Sequence, residues 1–295
     1  MASLYTHKSV NICKTWALVS GFLVLVIGVG WIFSRVYGDP SILFIAVLFS
    51  TVMSVVSYWS SDKIVLAMHR AREINMQNNP ELYRIVENLA ITAGLPMPKV
   101  YAVPEEAPNA FATGRDPEHA VVAVTDGLLA KLDRSELEGV LAHELSHIGN
   151  RDTLVATMVV VLVGFVSLLS DMFTRSMFYG GRRDSRDSGG AVLVLIGLLL
   201  SVLAPISATL IQLAISRKRE LLADASGALL TRYPEGLASA LAKISADSTP
   251  MRTANNTTAH LWVEDQYKKA GFLHKLFMTH PPVEERIKAL GGLEV

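Results

Sequence analysis

Four uncharged stretches, residues 16–33, 41–61, 153–170 and 189–216, constrain this chain more than any other feature. An apolar helix of about 18 residues or more is long enough to cross the hydrocarbon of a bilayer. Helices buried in a soluble core are the competing reading. Composition favours the membrane: 51% of the 295 residues are hydrophobic and 18% are charged, against about a quarter charged in soluble domains. Only residues 34–40, with Gly38 and Pro40, separate the first two stretches, so they read as a helical hairpin with a short turn. Lys8 and Lys14 precede the first stretch, as in a signal peptide. However, no small-residue cleavage pattern follows Phe33, and the second stretch comes at once. The first stretch therefore reads as an uncleaved anchor.

Basic residues tend to remain on the cytoplasmic side of a membrane. His7, Lys8 and Lys14 lie before the hairpin, Lys63, Arg70 and Arg72 follow it, and Arg35 alone lies between. Both ends then face the cytoplasm. The second pair of stretches is harder to place, because loop 171–188 carries Arg175, Arg182, Arg183 and Arg186. Two crossings would leave four arginines outside; the alternative is a buried or surface-lying hairpin. The length of 189–216 and its lack of charge favour two crossings. Lys+Arg and Asp+Glu balance at 27 each, and no basic stripe is interleaved with aromatics, so nucleic acid is not an expected partner. Cys13 is the one cysteine, which excludes an intramolecular disulfide framework.

The chain divides into a transmembrane hairpin (1–61), a soluble block (62–152), a second hydrophobic hairpin (153–216) and a second soluble block (217–295). Leu82, Ile85, Val86 and Leu89 repeat at helical spacing over 81–93, and Gly94, Pro96 and Pro98 close that helix. Runs 100–103, 110–113 and 120–125 have strand character and predict a small sheet. A short helix is expected over 128–132. Ser135 and Glu138 form a capping-box pattern ahead of a helix over 136–149. Further helices are expected over 217–231, 233–246 and 282–290, with a polar, mobile loop over 249–258.

The helix over 136–149 carries His143-Glu144-Leu145-Ser146-His147. Histidines at i and i+4 stand one turn apart on one face, so both can reach one zinc ion, and the intervening glutamate can take a proton from the attacking water. A third ligand is needed. No histidine follows before His260, and Asp152, Asp171, Glu220, Asp224 and Glu235 are the acids to weigh. Glu220 is the best of these, because Asp224 lies four residues on, on the same helix face. One carboxylate could bind metal while the other accepts an N–H from a ligating histidine. An exposed charged helix is the competing reading of Arg217-Lys218-Arg219-Glu220. If His147 and Glu220 share a metal, the stretches between them must return the chain to the same side of the membrane.

These segments, with Pro108-Asn109-Ala110-Phe111-Ala112-Thr113-Gly114 and Met278-Thr279-His280-Pro281-Pro282, resemble the HtpX family of bacterial membrane zinc proteases, distant relatives of the CAAX prenyl proteases. The resemblance covers nearly the whole chain. It implies a mostly α membrane protein, with transmembrane helical hairpins and a zincin-like α+β catalytic domain of a small sheet and the His-Glu-x-x-His helix. It implies one zinc ion per chain on His143, His147 and Glu220, with Glu144 activating the zinc-bound water and Asp224 behind a ligand. Asn109, Ala110, Phe111 and Ala112 would belong to an edge strand that holds substrate backbone by β-addition. His280 would steady the oxyanion or simply open the last helix, and Arg286 is a weak candidate for support. Leu221 departs from the family, where an aromatic residue is common.

The implied activity is endopeptidase cleavage of misfolded or damaged membrane proteins, in cytoplasmic-side quality control at the bacterial inner membrane. Unfolded membrane proteins, the bilayer and other quality-control proteases would be its partners. A transporter with an incidental motif is the first rival, but the apolar stretches carry no internal charge to mark an ion path. A non-catalytic zinc scaffold would have no use for Glu144. A prenyl protease would be expected to have more apolar stretches.

Overall fold

The structure, a computed structural model, describes residues 4–179, 217–252, 258–263 and 281–293. The stretch 189–216, the arginines of the loop after residue 179, residues 253–257 of the expected loop 249–258, and His280 lie outside the described residues.

Helices α1 (Leu4–Tyr37) and α2 (Ser41–Met68) form the expected hairpin. Gly38, at φ 67°, turns the chain, and the Asp39 carboxylate accepts the Ser41 N–H at 2.9 Å. The two helices meet through small residues. Gly30 abuts Ala46, and Ser50, Ser54, Ser57 and Ser61 are buried along α2. Small side chains let membrane helices approach closely where apolar burial drives nothing. The opposite faces expose Val24, Trp31, Phe44, Leu48, Val52 and Trp59. In water such a surface would be costly; in lipid it is solvated. Both helices are long and apolar enough to cross a membrane. Both also outrun the uncharged stretches, with α2 continuing past Asp62 and Lys63 to Met68.

Four short strands form one mixed sheet: β1 (Arg72–Ile74), β2 (Lys99–Val103), β3 (Ala110–Thr113) and β4 (Val121–Thr125). Their order is β1-β2-β4-β3, with β2 parallel to β4 and the other pairs antiparallel. Strand β1 was not expected, since three residues with exposed charges carry no strand pattern. Helix α3 (Pro80–Ala93) ends at Gly94 in the left-handed conformation, φ 64°, and the short α4 (Asp126–Lys131) follows β4.

Helix α5 (Arg134–Gly149) starts earlier than expected. The capping box is Asp133 with Glu136, not Ser135 with Glu138. The Asp133 carboxylate accepts the Glu136 N–H at 3.0 Å, and the Glu136 carboxylate accepts the Asp133 N–H at 2.9 Å. Ser135 and Glu138 bond to Asp133 and Arg134 instead. The earlier cap wins because Glu136 also takes the Ser239 hydroxyl at 2.6 Å and the Lys243 ammonium at 2.7 Å. Burial would raise the Glu136 pKa, but the bonds from Lys243 and Ser239 outweigh it and hold the carboxyl below its ordinary 4.5. Such a group stabilises the fold above its ordinary value and ceases to do so as pH falls through the lowered one. Glu136→Gln should therefore lower the unfolding midpoint at pH 7, with a difference that shrinks below pH 4.5. Thermal unfolding in detergent at both pH values checks this.

Helix α5 is central, and buried on almost every side: Leu137, Val140, Leu141, Leu145 and Ile148 pack with Leu82, Ile85, Val86, Leu89, Val122 and Leu237. Helices α7 (Arg217–Thr231) and α8 (Pro234–Ala246) lie against it. Helix α6 (Asp152–Tyr179) leaves α5 at a bend of 83° and packs Val155, Val159, Leu162 and Val163 on Leu18 and Phe22 of α1. The last helix, α9 (Val283–Gly291), packs on α8 and α7.

The contact of α5 with α7 depends on Gly227. A Cβ there would stand 2.9 Å from the His143 nitrogen and 3.1 Å from its Cα. Backbone cannot yield locally, so the two helices would separate. Gly227→Ala should cost about 1–3 kcal/mol of stability and shift Glu220 away from His143. A lowered unfolding midpoint is the expected result; an unchanged midpoint would show that the interface is softer than the geometry implies.

Candidate active site

The rings of His143 and His147 meet edge to face, 4.7 Å between centroids, with their Nε2 atoms 3.2 Å apart. Helix α7 brings the Glu220 carboxylate to 3.7 Å from His143 Nε2 and 3.6 Å from His147 Nε2. One ligand atom from each residue lies within 4.8 Å of the others. Two ligands at zinc bonding distance in tetrahedral geometry stand about 3.3 Å apart. The triangle has that size, slightly open on the carboxylate side.

The opposite ring nitrogens meet carboxylates. His143 Nδ1 lies 2.9 Å from Asp224 Oδ1, and His147 Nδ1 lies 3.1 Å from Asp152 Oδ2. A carboxylate at Nδ1 retains the proton there and turns the Nε2 lone pair to the far side. Two lone pairs and a carboxylate then converge on one point, and they repel one another unless a cation sits among them. The protonation balance shows the same demand. Burial acts to lower the His147 pKa, yet the carboxylates of Glu220 and Asp152 outweigh it and raise the value to about 9. At His143 burial prevails over Asp224, and the pKa is lowered. The residues present thus fit a divalent metal.

Asp224 is itself held. Arg286 donates from Nε to Oδ2 at 2.8 Å and from Nη2 to Oδ1 at 2.7 Å, and from Nη1 to the Val263 carbonyl at 3.1 Å. Arg286 is wholly buried and Asp224 nearly so. Burial would raise the Asp224 carboxyl, but the Arg286 guanidinium, with His143 beside it, holds it at about 2. Arg286 therefore has a larger part than its sequence position suggested. Asp152, weighed as a ligand, instead stands behind His147. The only sequence signal for that is its place five residues on, just past the turn that ends α5.

Glu144 is buried and lines the same cleft as His143, His147, Glu220, Ala112 and the segment His260–Val263. Of the sequence-predicted residues, Asn109, Ala110, Phe111 and Ala112 sit on or beside β3, at the edge of the sheet. The Asn109 carbonyl accepts the Thr125 N–H at 2.9 Å, so by antiparallel alternation Ala110 and Ala112 present their backbone groups outward. The Ala110 carbonyl already accepts the Val263 N–H at 3.0 Å, and Phe111 bridges antiparallel to Trp262. That pairing was not foreseen, because one bridge between distant segments leaves no local pattern. His280 lies outside the described residues.

Residues 76–294 match the family described as Peptidase family M48. The chain belongs to that family. This M48 chain is 48% identical over 287 residues to "Protease HtpX homolog" of Tropheryma whipplei (strain Twist), with 97% of each chain covered. Proteins of the same description from Caldanaerobacter subterraneus subsp. tengcongensis (46% over 299 residues, 99% of each) and Pyrococcus abyssi (48% over 280 residues, 94% of each) are similarly close. The crystal structure of S. mikatae Ste24p shares the fold, with a TM-score of 0.51 at 21% identity, over 94% of this chain and 66% of that one. The resemblance read from the motifs holds: this is an M48 metalloprotease with membrane helices.

Proposed function

We propose that this M48 protein is a zinc endopeptidase of the bacterial cytoplasmic membrane, with its site on the cytoplasmic side, cutting misfolded or damaged membrane proteins. One observation carries the reading: His143, His147 and Glu220 aim their donor atoms at one point, with each imidazole backed by a carboxylate. His143, His147 and Glu220 would hold the zinc ion, which would supply Lewis acidity and lower the pKa of water in the cleft. Glu144, lining the same cleft, accepts the proton of the attacking water and passes it to the leaving amine. His280 serves as the oxyanion donor.

The substrate enters as an extended strand against Ala110 and Ala112, where backbone bonds tolerate varied sequence. A full-length strand on that edge replaces the Ala110–Val263 bond. The basic residues flanking the first hairpin support the cytoplasmic placement, and the two helices of that hairpin already make the protein multi-pass. Other quality-control proteases of the membrane are its expected partners.

The test is reconstitution. Protein purified in detergent and stripped of metal should cleave an unfolded membrane protein only after zinc is restored, to about one zinc per chain. Cleavage that survives full metal removal would end the proposal.

A further inference from the structure

We propose that Asn11, on the first membrane helix, is a positioning residue of the metal centre: it holds Asp152 so that Asp152 holds His147. The catalytic centre is then completed by the membrane anchor. This inference rests on the zinc reading of His143, His147 and Glu220.

Asn11 and Thr15 are each 2% exposed, one turn apart on α1. Buried polar side chains on an apolar helix need partners. The partners of Asn11 belong to the catalytic part, not to the neighbouring membrane helix. Its amide N–H donates to Asp152 Oδ1 at 2.7 Å and to the Asn150 carbonyl at 3.2 Å. Its amide oxygen accepts from Arg219 Nη1 at 3.2 Å. Arg219 in turn has its Nε 3.5 Å from the same Asp152 Oδ1. Asp152 Oδ1 is thus fixed on one side by Asn11 and Arg219, which leaves Oδ2 to face His147 Nδ1 at 3.1 Å.

The chemistry of the side chain fits this place. An amide can donate to a carboxylate and accept from a guanidinium at once. Aspartate would put a second negative charge beside Asp152, and an apolar residue would satisfy neither partner. Asn11 also ties the two segments that carry the ligands. Asn150 and Asp152 lie just past His147, and Arg219 immediately precedes Glu220. Partners of ligating histidines typically change metal affinity 10- to 100-fold when removed. Asn11 acts one bond further out, so its loss should weaken zinc binding by about tenfold, at the low end of that range.

An ordinary polar lock between two packed segments would predict lower stability with unaltered zinc affinity. The experiment separates the two. Full-length protein in detergent, stripped of metal, is titrated with zinc against a chelating dye, and the cobalt-loaded form is followed by its absorption spectrum. Asn11→Leu should raise the zinc dissociation constant about tenfold and alter the cobalt bands. In the Asp152→Ala background the same substitution should have a much smaller effect, because the main route from Asn11 to His147 runs through Asp152 and only the bonds to Asn150 and Arg219 remain. Thr15 shares the buried face, its hydroxyl donating to the Asn11 carbonyl at 3.0 Å; Thr15→Val should leave zinc affinity as it is. Asn11→Ser is read the same way if leucine prevents folding. Zinc affinity in the Asn11 variants within about twofold of wild type, or effects of Asn11 and Asp152 that simply add, would overturn the inference. Wild type that takes up no zinc, or His147→Ala that takes it up as well as wild type, would instead overturn the metal reading beneath it.

Discussion

Glu144→Gln is expected to keep one zinc per chain and to lose peptide-bond cleavage by about 10²–10⁴-fold, the usual contribution of a positioned general base. The substitution preserves volume and leaves His143, His147 and Glu220 in place, so the metal site should be unaffected. What it removes is the group able to accept a proton. Glu144 is 3% exposed and lines the cleft between the histidines and the segment His260–Val263, where no bulk water can take over that task readily. Zinc content and cleavage of an unfolded membrane protein are measured on the same preparation. Loss of both would make Glu144 a structural element of the site, and retention of both would remove it from the reaction.

The largest stability effect is expected from Arg286→Met. Its guanidinium makes two bonds to Asp224 with both side chains out of water. Removing one partner of a buried ion pair strands the other charge, at a cost of about 3–5 kcal/mol. The third bond, to the Val263 carbonyl, is lost as well. Replacing both partners tells a different story. Arg286→Met with Asp224→Leu strands no charge, so the double variant should recover much of the stability. It should bind zinc more weakly than Arg286→Met, because only in the double variant does His143 Nδ1 lack its carboxylate. Unfolding midpoints and zinc titrations of the two variants beside wild type give both answers. A double variant no more stable than Arg286→Met would show that the cost lies in packing, not in the stranded charge.

Much of the site was legible because its pieces are local. The i, i+4 spacing of His143 and His147 puts two imidazoles on one face wherever the segment is helical. Asp224 four residues after Glu220 is the same rule applied again. The cap of α5 was misread for a related reason. Asp133 and Ser135 both fit the pattern, and the choice between them lay with Lys243 and Ser239 on another helix. The sheet was legible in three of its strands, whose apolar runs are long enough to show. Strand β1 owes its existence to pairing with β2 alone.

Uncharged runs too long for ordinary core helices determined by themselves that this chain carries a membrane hairpin. Chain length and hydropathy suffice for that, because lipid demands only an apolar surface and a backbone bonded within its own helix. The motif likewise determined that a metal could be held. Tertiary structure alone decided what surrounds that metal. Arg219 and Asn11 are 208 residues apart, and Arg286 and Asp224 are 62 apart. No periodicity links such pairs; they meet because helices packed around α5 bring them together. The same packing sets the first turns of the membrane anchor beside His147, and no property of residues 4–37 read along the chain would place them there.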